Sequence, residues 1–329
     1  MNRIVAAIHN GLRIAAAALA LTAAASAGAQ GYPAKPIRLV VPFPPGGIVD
    51  TTARMLGQKL SESMGQQVVV DNRSGASGSI GSEFVAKAPP DGYTLLMAFD
   101  THAVNPHIYK SLRFDTFKDF APVSTVGSIP LLLATSPAFP ANSMAEFIRA
   151  AKARPGSLSY GSVGAGSSGH LAAEQLKLLA GVDIVHVPFK GGAPALTALM
   201  GEQIQLISFA AGAAVPLVKG GKVKPLAVTG TRRSAALPGV PTMAEAGYPQ
   251  LNSGAWMGIV APVGTPPAVI TRLRTEIAKA VRDPSLSGPL GEQAVDLASS
   301  TPEEFSAFIR SEHDKWGKLI KDANLNLDQ

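Results

Sequence analysis

Three glycine-rich segments of the sequence have the composition of an anion-binding site. They span residues 43–50, 73–80 and 162–170, and each lies between a predicted strand and a predicted helix. Main-chain N–H groups at a helix N-terminus have no intrahelical partner and carry a partial positive charge, and glycines let a ligand approach them closely. A single segment of this kind is usually only a turn. Three of them at the carboxyl ends of strands predict a crevice for a small anion.

A nucleotide site is not favoured by the same residues. Gly164, Gly166 and Gly169 match G-x-G-x-x-G, but the preceding predicted strand is short and polar. The next strand ends at Val187-Pro188 without the acid that would bind a ribose hydroxyl. The sequence also has no Gly-Lys-Ser/Thr phosphate loop. We therefore expect no nucleotide and no other cofactor.

Hydrolytic and metal chemistry have weaker signals. Ser167 or Ser168 with His170 could form a nucleophilic pair, but a strict G-x-S-x-G is absent. Helix capping by the serine and a polar wall formed by the histidine explain these residues better. The histidines also lack metal-ligand spacing. Lys190 could hold an anion or be solvated. A secreted serine hydrolase remains an alternative.

Composition excludes several classes of protein. The 329 residues include no cysteine, which excludes a disulfide scaffold, a cysteine zinc site, an iron–sulfur cluster and a lipid-anchored lipoprotein. The net charge of +6 is spread along the chain, without a Lys/Arg block interleaved with aromatic residues. This pattern gives no indication of nucleic-acid binding.

The first 29 residues have the features of a secretory signal peptide. They contain no acid, Arg3 and Arg13 form a positive region, and an apolar run over 14–25 precedes Ala27-Gly28-Ala29. The apolar run is short for a membrane span, although an N-terminal anchor is the alternative. We expect cleavage after Ala29 and a soluble periplasmic protein.

The remaining chain alternates between predicted strands and helices. Strands over 37–41, 68–70 and 94–98 alternate with helices over 50–64 and up to 88, which favours a parallel α/β sheet. A second α/β unit begins near 131. It has strands over 159–161, 183–187, 204–209 and 224–228, and helices over 143–153, 168–180 and 195–200. A strand over 256–261 and two terminal helices predict a return to the first domain.

Several motifs recur in a characteristic order along the mature chain. They are Pro45-Gly46-Gly47, Asn72-Arg73, Pro90-Asp91-Gly92-Tyr93, Asn105-Pro106, Tyr160-Gly161-Ser162 and His186-Val187-Pro188-Phe189-Lys190-Gly191. In order and spacing, they resemble the solute receptors of tripartite tricarboxylate transporters, the Bug or TctC-type family. The resemblance covers essentially the whole mature chain.

The resemblance implies a two-domain periplasmic binding protein of type II-like α/β fold, with a hinge and a ligand crevice between the domains. Residues 30–128 and 252–329 would form domain 1, and residues 129–251 would form domain 2. It implies a monomer without enzymatic activity that binds a small organic acid and serves the integral-membrane permease subunits of the transporter. A ligand-sensing subunit of a signalling system is the alternative.

The resemblance also implies the residues that bind the ligand. In the first domain these are Phe43, Gly46, Gly47, Asp50, Ala76, Ser77, Gly78, Thr101 and His102; in the second they are Ser162, Gly164, Gly166, Ser167, His170, Lys190 and Gly191. Phe189 stands where the family often has tyrosine. Ala210 stands where many members have an acid that could pair with an ammonium group. We therefore expect a plain mono- or dicarboxylate, aromatic acids included, rather than an amino acid.

Overall fold

The computed structural model describes residues 31–189, 191–252, 254–325 and 327, and these residues form two mixed β sheets flanked by helices. The first sheet has the strand order β11-β4-β10-β3-β1-β2. Its strands are β1 (Ile37–Val41), β2 (Val68–Asn72), β3 (Thr94–Phe99), β4 (Phe120–Ile129), β10 (Ala255–Pro262) and β11 (Asp296–Leu297). The helices around it are α1 (Ile48–Met64), α2 (Ser79–Ala86), α3 (Thr101–Ile108), α8 (Pro267–Ala280), α9 (Pro284–Glu292) and α10 (Pro302–Asp322). The α/β fold class expected from the sequence is confirmed.

The second sheet has the order β7-β6-β8-β5-β9. Its strands are β5 (Leu131–Thr135), β6 (Leu158–Ser162), β7 (Ile184–Pro188), β8 (Leu206–Ala210) and β9 (Lys224–Val228). Its helices are α4 (Met144–Ala153), α5 (Ser168–Ala180), α6 (Gly192–Met200) and α7 (Val215–Lys219). Gly181 ends α5 in the left-handed conformation (φ 60°), as a C-terminal glycine should.

The parallel pairing predicted for the first three strands is confirmed, but both sheets also contain antiparallel strands. Strands β1, β2 and β3 are parallel, as are β6, β7 and β8, but β10 is antiparallel to its neighbours β3 and β4, and β5 to β8 and β9. The chain passes from β4 to β5 at Pro130 and returns to β10 through 252–254. Strands β5 and β10 each follow a crossing from the other sheet, so they run away from the place where the chain crosses. The parallel strands of each sheet run toward that place.

Each sheet encloses its own apolar core. Strand β10 is buried along its whole length and lies at the centre of the first sheet. One face of that sheet packs against α1, α8 and α9. On the other face, Trp256 of β10 shares a buried cluster with Phe305 of α10. Phe305 lies so close to Gly258 that a Cβ there would come within 2.1 Å of its ring. The boundary between the predicted domains stays a prediction, which the membership of the two sheets supports.

The sequence-based prediction missed α3 and β4, because each contains a proline. Helix α3 contains Pro106, and β4 contains Pro122, which lies beside an irregular register opposite Val260. Proline normally argues against both elements, but a strand tolerates it at a bulge. Within the described part of the chain, no helix is long and apolar enough to cross a membrane. The predicted signal peptide lies outside the described residues.

Candidate functional site

The first glycine segment joins β1 to α1, and the Asp50 side chain accepts a hydrogen bond from it. The Asp50 carboxylate accepts hydrogen bonds from Gly46 N–H (2.9 Å), Arg54 Nε (3.0 Å) and Asn72 Nδ2 (2.9 Å). Asn72 Nδ2 also donates to the Phe43 carbonyl at 3.1 Å. Burial tends to raise the pKa of Asp50, but these hydrogen bonds outweigh it and hold the pKa below its usual range. Asp50 therefore positions the segment, and its oxygens are already engaged.

Removing this carboxylate should release the segment. We expect Asp50→Ala to lose about 2 kcal/mol of stability, because Gly46 N–H, Arg54 and Asn72 lose the buried carboxylate to which they donate. It should also weaken anion binding. Denaturant unfolding and ligand titration measure the two effects. Glu62→Ala, which removes an exposed acid from the same helix, should change neither. Equal behaviour of the two variants would contradict the positioning role.

The second segment approaches the first and has a constrained backbone. Ala76, Ser77 and Gly78 have positive φ angles of 45°, 50° and 89°. Asn105 Nδ2 donates to Ser77 O (3.0 Å), and the Tyr109 hydroxyl donates to Ser77 Oγ (3.1 Å). Asn105 of α3 and Tyr109, which directly follows it, were missed by the sequence-based prediction, although they lie close in sequence to His102, which it included.

Gly78 links the segment to its neighbours. A Cβ at Gly78 would lie 3.3 Å from Pro42 Cβ and 3.5 Å from Thr101 Oγ1. The ends of β1 and β3 and the start of α2 therefore meet at Gly78, as expected for adjacent parallel strands. This contact brings Thr101 to the glycine segments.

His102 does not join Thr101 there. Its ring is buried, lies edge-on to Phe120 with the ring centroids 4.8 Å apart, and stacks at longer range on Phe114. Among the described residues, neither ring nitrogen has a hydrogen-bond partner. Burial lowers the pKa of His102 to about 4. His102 is thus a neutral core residue, and its inclusion among the ligand-binding residues has no geometric support.

The third segment forms the start of α5 in the second sheet's domain. Ser167 Oγ donates to Gly164 O (2.7 Å) and accepts from His170 N–H (3.3 Å), so it caps the helix. His170 Nδ1 accepts from Gly166 N–H at 3.0 Å. Gly164 and Gly166 have positive φ angles of 132° and 74°. Ser167 and His170 therefore shape the segment rather than form a nucleophile and its base.

Three stacked aromatic rings pack beside the third glycine segment. His170 and His186 lie with their ring centroids 3.9 Å apart, and Tyr160 stacks on His186 at 4.9 Å. Desolvation lowers the pKa of His170 to about 3 and that of His186 to about 4. His186 was missed from the sequence, although it lies opposite Tyr160 in the register of β6 and β7.

Ser162 lies between the stacked rings and the third glycine segment. Its hydroxyl lies 2.7 Å from His186 Nε2 and 3.0 Å from Gly164 O, and the residue is fully buried. A hydroxyl without access to solvent is a poor nucleophile for an external substrate. Ser162 is therefore better explained as a buried support of the third segment than as a ligand contact.

The two domains touch beside these segments. A Cβ at Gly166 would lie 2.3 Å from Ile108 Cδ1 of α3, so the third segment packs closely on the first domain. Val104, Ile108 and Leu171 share a buried cluster with residues of α10, including Trp316. The contact therefore brings the end of α3 against the segment that precedes α5. Gly191, with φ 114°, precedes α6, and Lys190 lies outside the described residues.

Most helices that begin at this crevice have uncapped N-termini. Helices α1, α2, α3 and α6 begin after Gly47, Gly78, Asp100 and Gly191, and none of these residues makes a side-chain cap. Elsewhere in the described chain, α4, α9 and α10 are capped by Ser143, Asp283 and Thr301, whereas α7 and α8 also lack a side-chain cap. Uncapped N–H groups retain their capacity to donate to an anion. The crevice can therefore bind a carboxylate without a basic side chain.

A separate cavity of about 460 Å³ lies where the chain crosses between the sheets. Pro130, Gly254, Arg232 and Glu312 are among its lining residues, and none of the predicted ligand-binding residues lines it. Arg232 is already paired with Asp296 at 2.8 Å. The cavity is therefore separate from the predicted anion site at the glycine segments.

Comparison with known proteins gives one consistent result. Residues 52–325 match the model of the tripartite tricarboxylate transporter family receptor. Protein BugT of Bordetella pertussis is 36% identical over 329 residues, which cover 99% of each chain.

Solved structures agree with this match. The R. palustris Rpa4515 structure with adipate is 38% identical with a TM-score of 0.79, covering 89% of this chain and 98% of that chain. MatC from Rhodopseudomonas palustris with bound malate is 30% identical with a TM-score of 0.74, covering 88% and 100%.

Proposed function

Because the chain belongs to the tripartite tricarboxylate transporter family of receptors, we propose that it captures a small dicarboxylate in the periplasm and delivers it to a membrane permease. The expected class of fold, a two-domain periplasmic binding protein, is confirmed by the similar solved structures. The family consists of solute receptors rather than enzymes. The ligand, the permease and export through a cleaved signal peptide are part of the proposal.

The observation that carries the proposal is the set of uncapped helix N-termini at the crevice. Charge-assisted hydrogen bonds contribute roughly 1.5–3 kcal/mol each, and micromolar affinity requires about 8 kcal/mol. Four or five such bonds suffice after the cost of ordering and closure. The contacting groups would come from both domains, so the ligand itself would hold the crevice closed.

We propose direct contact with the ligand for residues of the glycine segments and their neighbours, although the Gly46 and Gly166 N–H groups already donate to Asp50 and His170. These are Gly46, Gly47, Ala76, Ser77, Gly78, Thr101, Gly164, Gly166, Ser167 and Gly191, with Phe43 at the edge. Asp50, Ser162 and His170 would position these residues through their hydrogen bonds to Gly46, Gly164 and Gly166 rather than contact the ligand.

A dicarboxylate suits the site better than an amino acid. Relatives of this chain have been solved with adipate and with malate, both of which are dicarboxylates. Ala210 ends β8 and offers no acid to pair with an ammonium group. The serine-hydrolase alternative lacks support, because His170 Nδ1 is engaged by Gly166 N–H. No observation favours the signalling alternative over transport.

A thermal-shift screen of residues 30–329 tests the proposal. Adipate, malate, citrate, benzoate, aspartate and glutamate would each be added in excess. A ligand at a hundred times its dissociation constant should stabilise the protein by about 2.7 kcal/mol. We expect a dicarboxylate to shift the unfolding midpoint and the amino acids to leave it unchanged. No shift with any acid, even after refolding to remove a copurified ligand, would reject the proposal.

A charge variant localises the binding site. Gly47 is exposed, and a Cβ there would meet only Pro44 O at 3.9 Å, so a larger side chain fits. Gly47→Glu places a negative charge at the start of α1 and should weaken binding at least about tenfold. Gly47→Gln, of equal size and neutral, should weaken binding less. Equal affinities of the two variants would place the ligand elsewhere.

A further inference from the structure

A buried carboxylate lies between the two domains and is not used in the description above. Asp100 directly follows β3 and precedes Thr101, and it is only 3% exposed. Neither of its oxygens makes a hydrogen bond of good geometry within the described chain. Burying an ionised carboxylate without such partners is costly. Asp100 therefore favours its neutral form in this conformation.

The groups around Asp100 come from both domains. Ser168, at the start of α5, faces it from the second domain, and Thr101 N–H approaches it from its own helix. Helix α10 brings the titratable side chains Glu312 and Lys315, which are paired with each other. Lys315 thus shares its charge with Glu312 rather than neutralising Asp100 alone. Burial raises the pKa of Asp100 to about 7, although Ser168 and Thr101 oppose the rise.

Resting on the function proposed above, we propose that closure of the two domains on an organic anion is coupled to the uptake of one proton by Asp100. Opening would separate Asp100 from Ser168 and return water to the carboxylate, which would then ionise as an exposed aspartate does. Closure removes that water. A ligand anion held by the adjacent helix N-termini further disfavours a negative charge on Asp100.

The direction of the pH dependence follows from this cycle. The closed, liganded form binds a proton that the open form does not, so affinity should fall as the pH rises through neutrality. His102, His170 and His186 have pKa values lowered to about 4, 3 and 4, so they stay neutral from pH 6 upward. These buried histidines therefore contribute no competing titration in that range.

Calorimetric titration with adipate as the probe tests the coupling. Between pH 6.0 and 8.5, the affinity of the natural protein should fall about tenfold or more. Asp100→Asn keeps the shape but cannot titrate, so its affinity should change less than about twofold. Asp322→Asn, an exposed acid paired with Lys318, should behave as the natural protein does. The binding heat at pH 6.0 in two buffers of different ionisation enthalpy should report proton uptake only where Asp100 is present.

A measurement without ligand separates this inference from the proposed function. Where Asp100 is buried, Asp100→Asn should raise the thermal midpoint at pH 6.0, because the unfolded aspartate is already ionised there, and should raise it further at pH 8.5, where the folded carboxyl is costly to ionise. If Asp100→Asn kept the natural pH dependence of both midpoint and affinity, the inference would be overturned. If no acid bound any variant, the proposed function would fail and ligand coupling with it, while the midpoints would still report whether burial disfavours the charge on Asp100.

Discussion

Alanine in place of Gly169 should destabilise the second domain strongly. Gly169 lies in the first turn of α5, and a Cβ there would lie 2.0 Å from Ser208 O and 2.8 Å from Ser208 C. The obstacle is backbone at the centre of the second sheet, so α5 must move. Overpacking of this kind costs roughly 1–3 kcal/mol, and a backbone clash belongs at the upper end. We expect the thermal midpoint to fall by about 6 °C.

The same displacement should weaken ligand binding, because Gly166 and Ser167 lie at the start of the displaced helix. Gly192→Ala is the matched control at the start of α6. Its Cβ would meet Phe209 Cδ2 at 3.7 Å, an ordinary contact. The control should stay within about 0.5 kcal/mol of the natural protein. Similar unfolding midpoints for the two variants would contradict the close approach of α5 to β8.

Acid should destabilise the protein between pH 6.5 and pH 4 through its buried histidines. The folded pKa values of His102 and His170 are lowered to about 4 and 3, whereas an unfolded histidine titrates near 6.5. In this window the unfolded chain binds more protons, so stability falls as the pH falls. Each buried histidine contributes up to about 1.4 kcal/mol per pH unit. Denaturant unfolding at pH 7.5 and pH 5.0 measures the loss.

Two leucine variants separate titration from hydrogen bonding. His102→Leu removes a ring whose nitrogens have no partner, so it should cost little at pH 7.5 and should stabilise the protein at pH 5.0. His170→Leu removes the acceptor of Gly166 N–H, so it should destabilise at pH 7.5 while also reducing the pH dependence. An unchanged pH dependence in both variants would show that other groups control the acid response.

Much of the local structure follows from short-range signals in the sequence. β1, α5 and β9 begin and end where the apolar runs, the serine cap and the glycine stop predict. Thr301 and Glu304 form the complete capping box at α10. At α4 the capping box is incomplete: Ser143 accepts from Glu146 N–H, whereas the Glu146 carboxylate accepts from Asn142 N–H.

The sequence indicated some of the candidate site residues and missed others. The glycine segments were recognisable because a ligand-binding backbone requires unusual residue types at strand ends. Asn105, Tyr109 and His186 were missed because each acts through a contact distant in sequence: the first two with Ser77, the third with Ser162. His102 was misplaced because a motif shows that a histidine is present but not which way its ring points.

The sequence by itself determined the α/β class, most strand and helix positions, the location of the three glycine segments between strands and helices, and the family to which the chain belongs. These depend on periodicity, capping and motif order, which are local properties of the chain. The tertiary structure decided the strand directions, the separation of ligand-facing backbone from supporting side chains, and the burial of Asp100 between the domains. These depend on which groups lose water when distant segments pack together, and local sequence does not encode that.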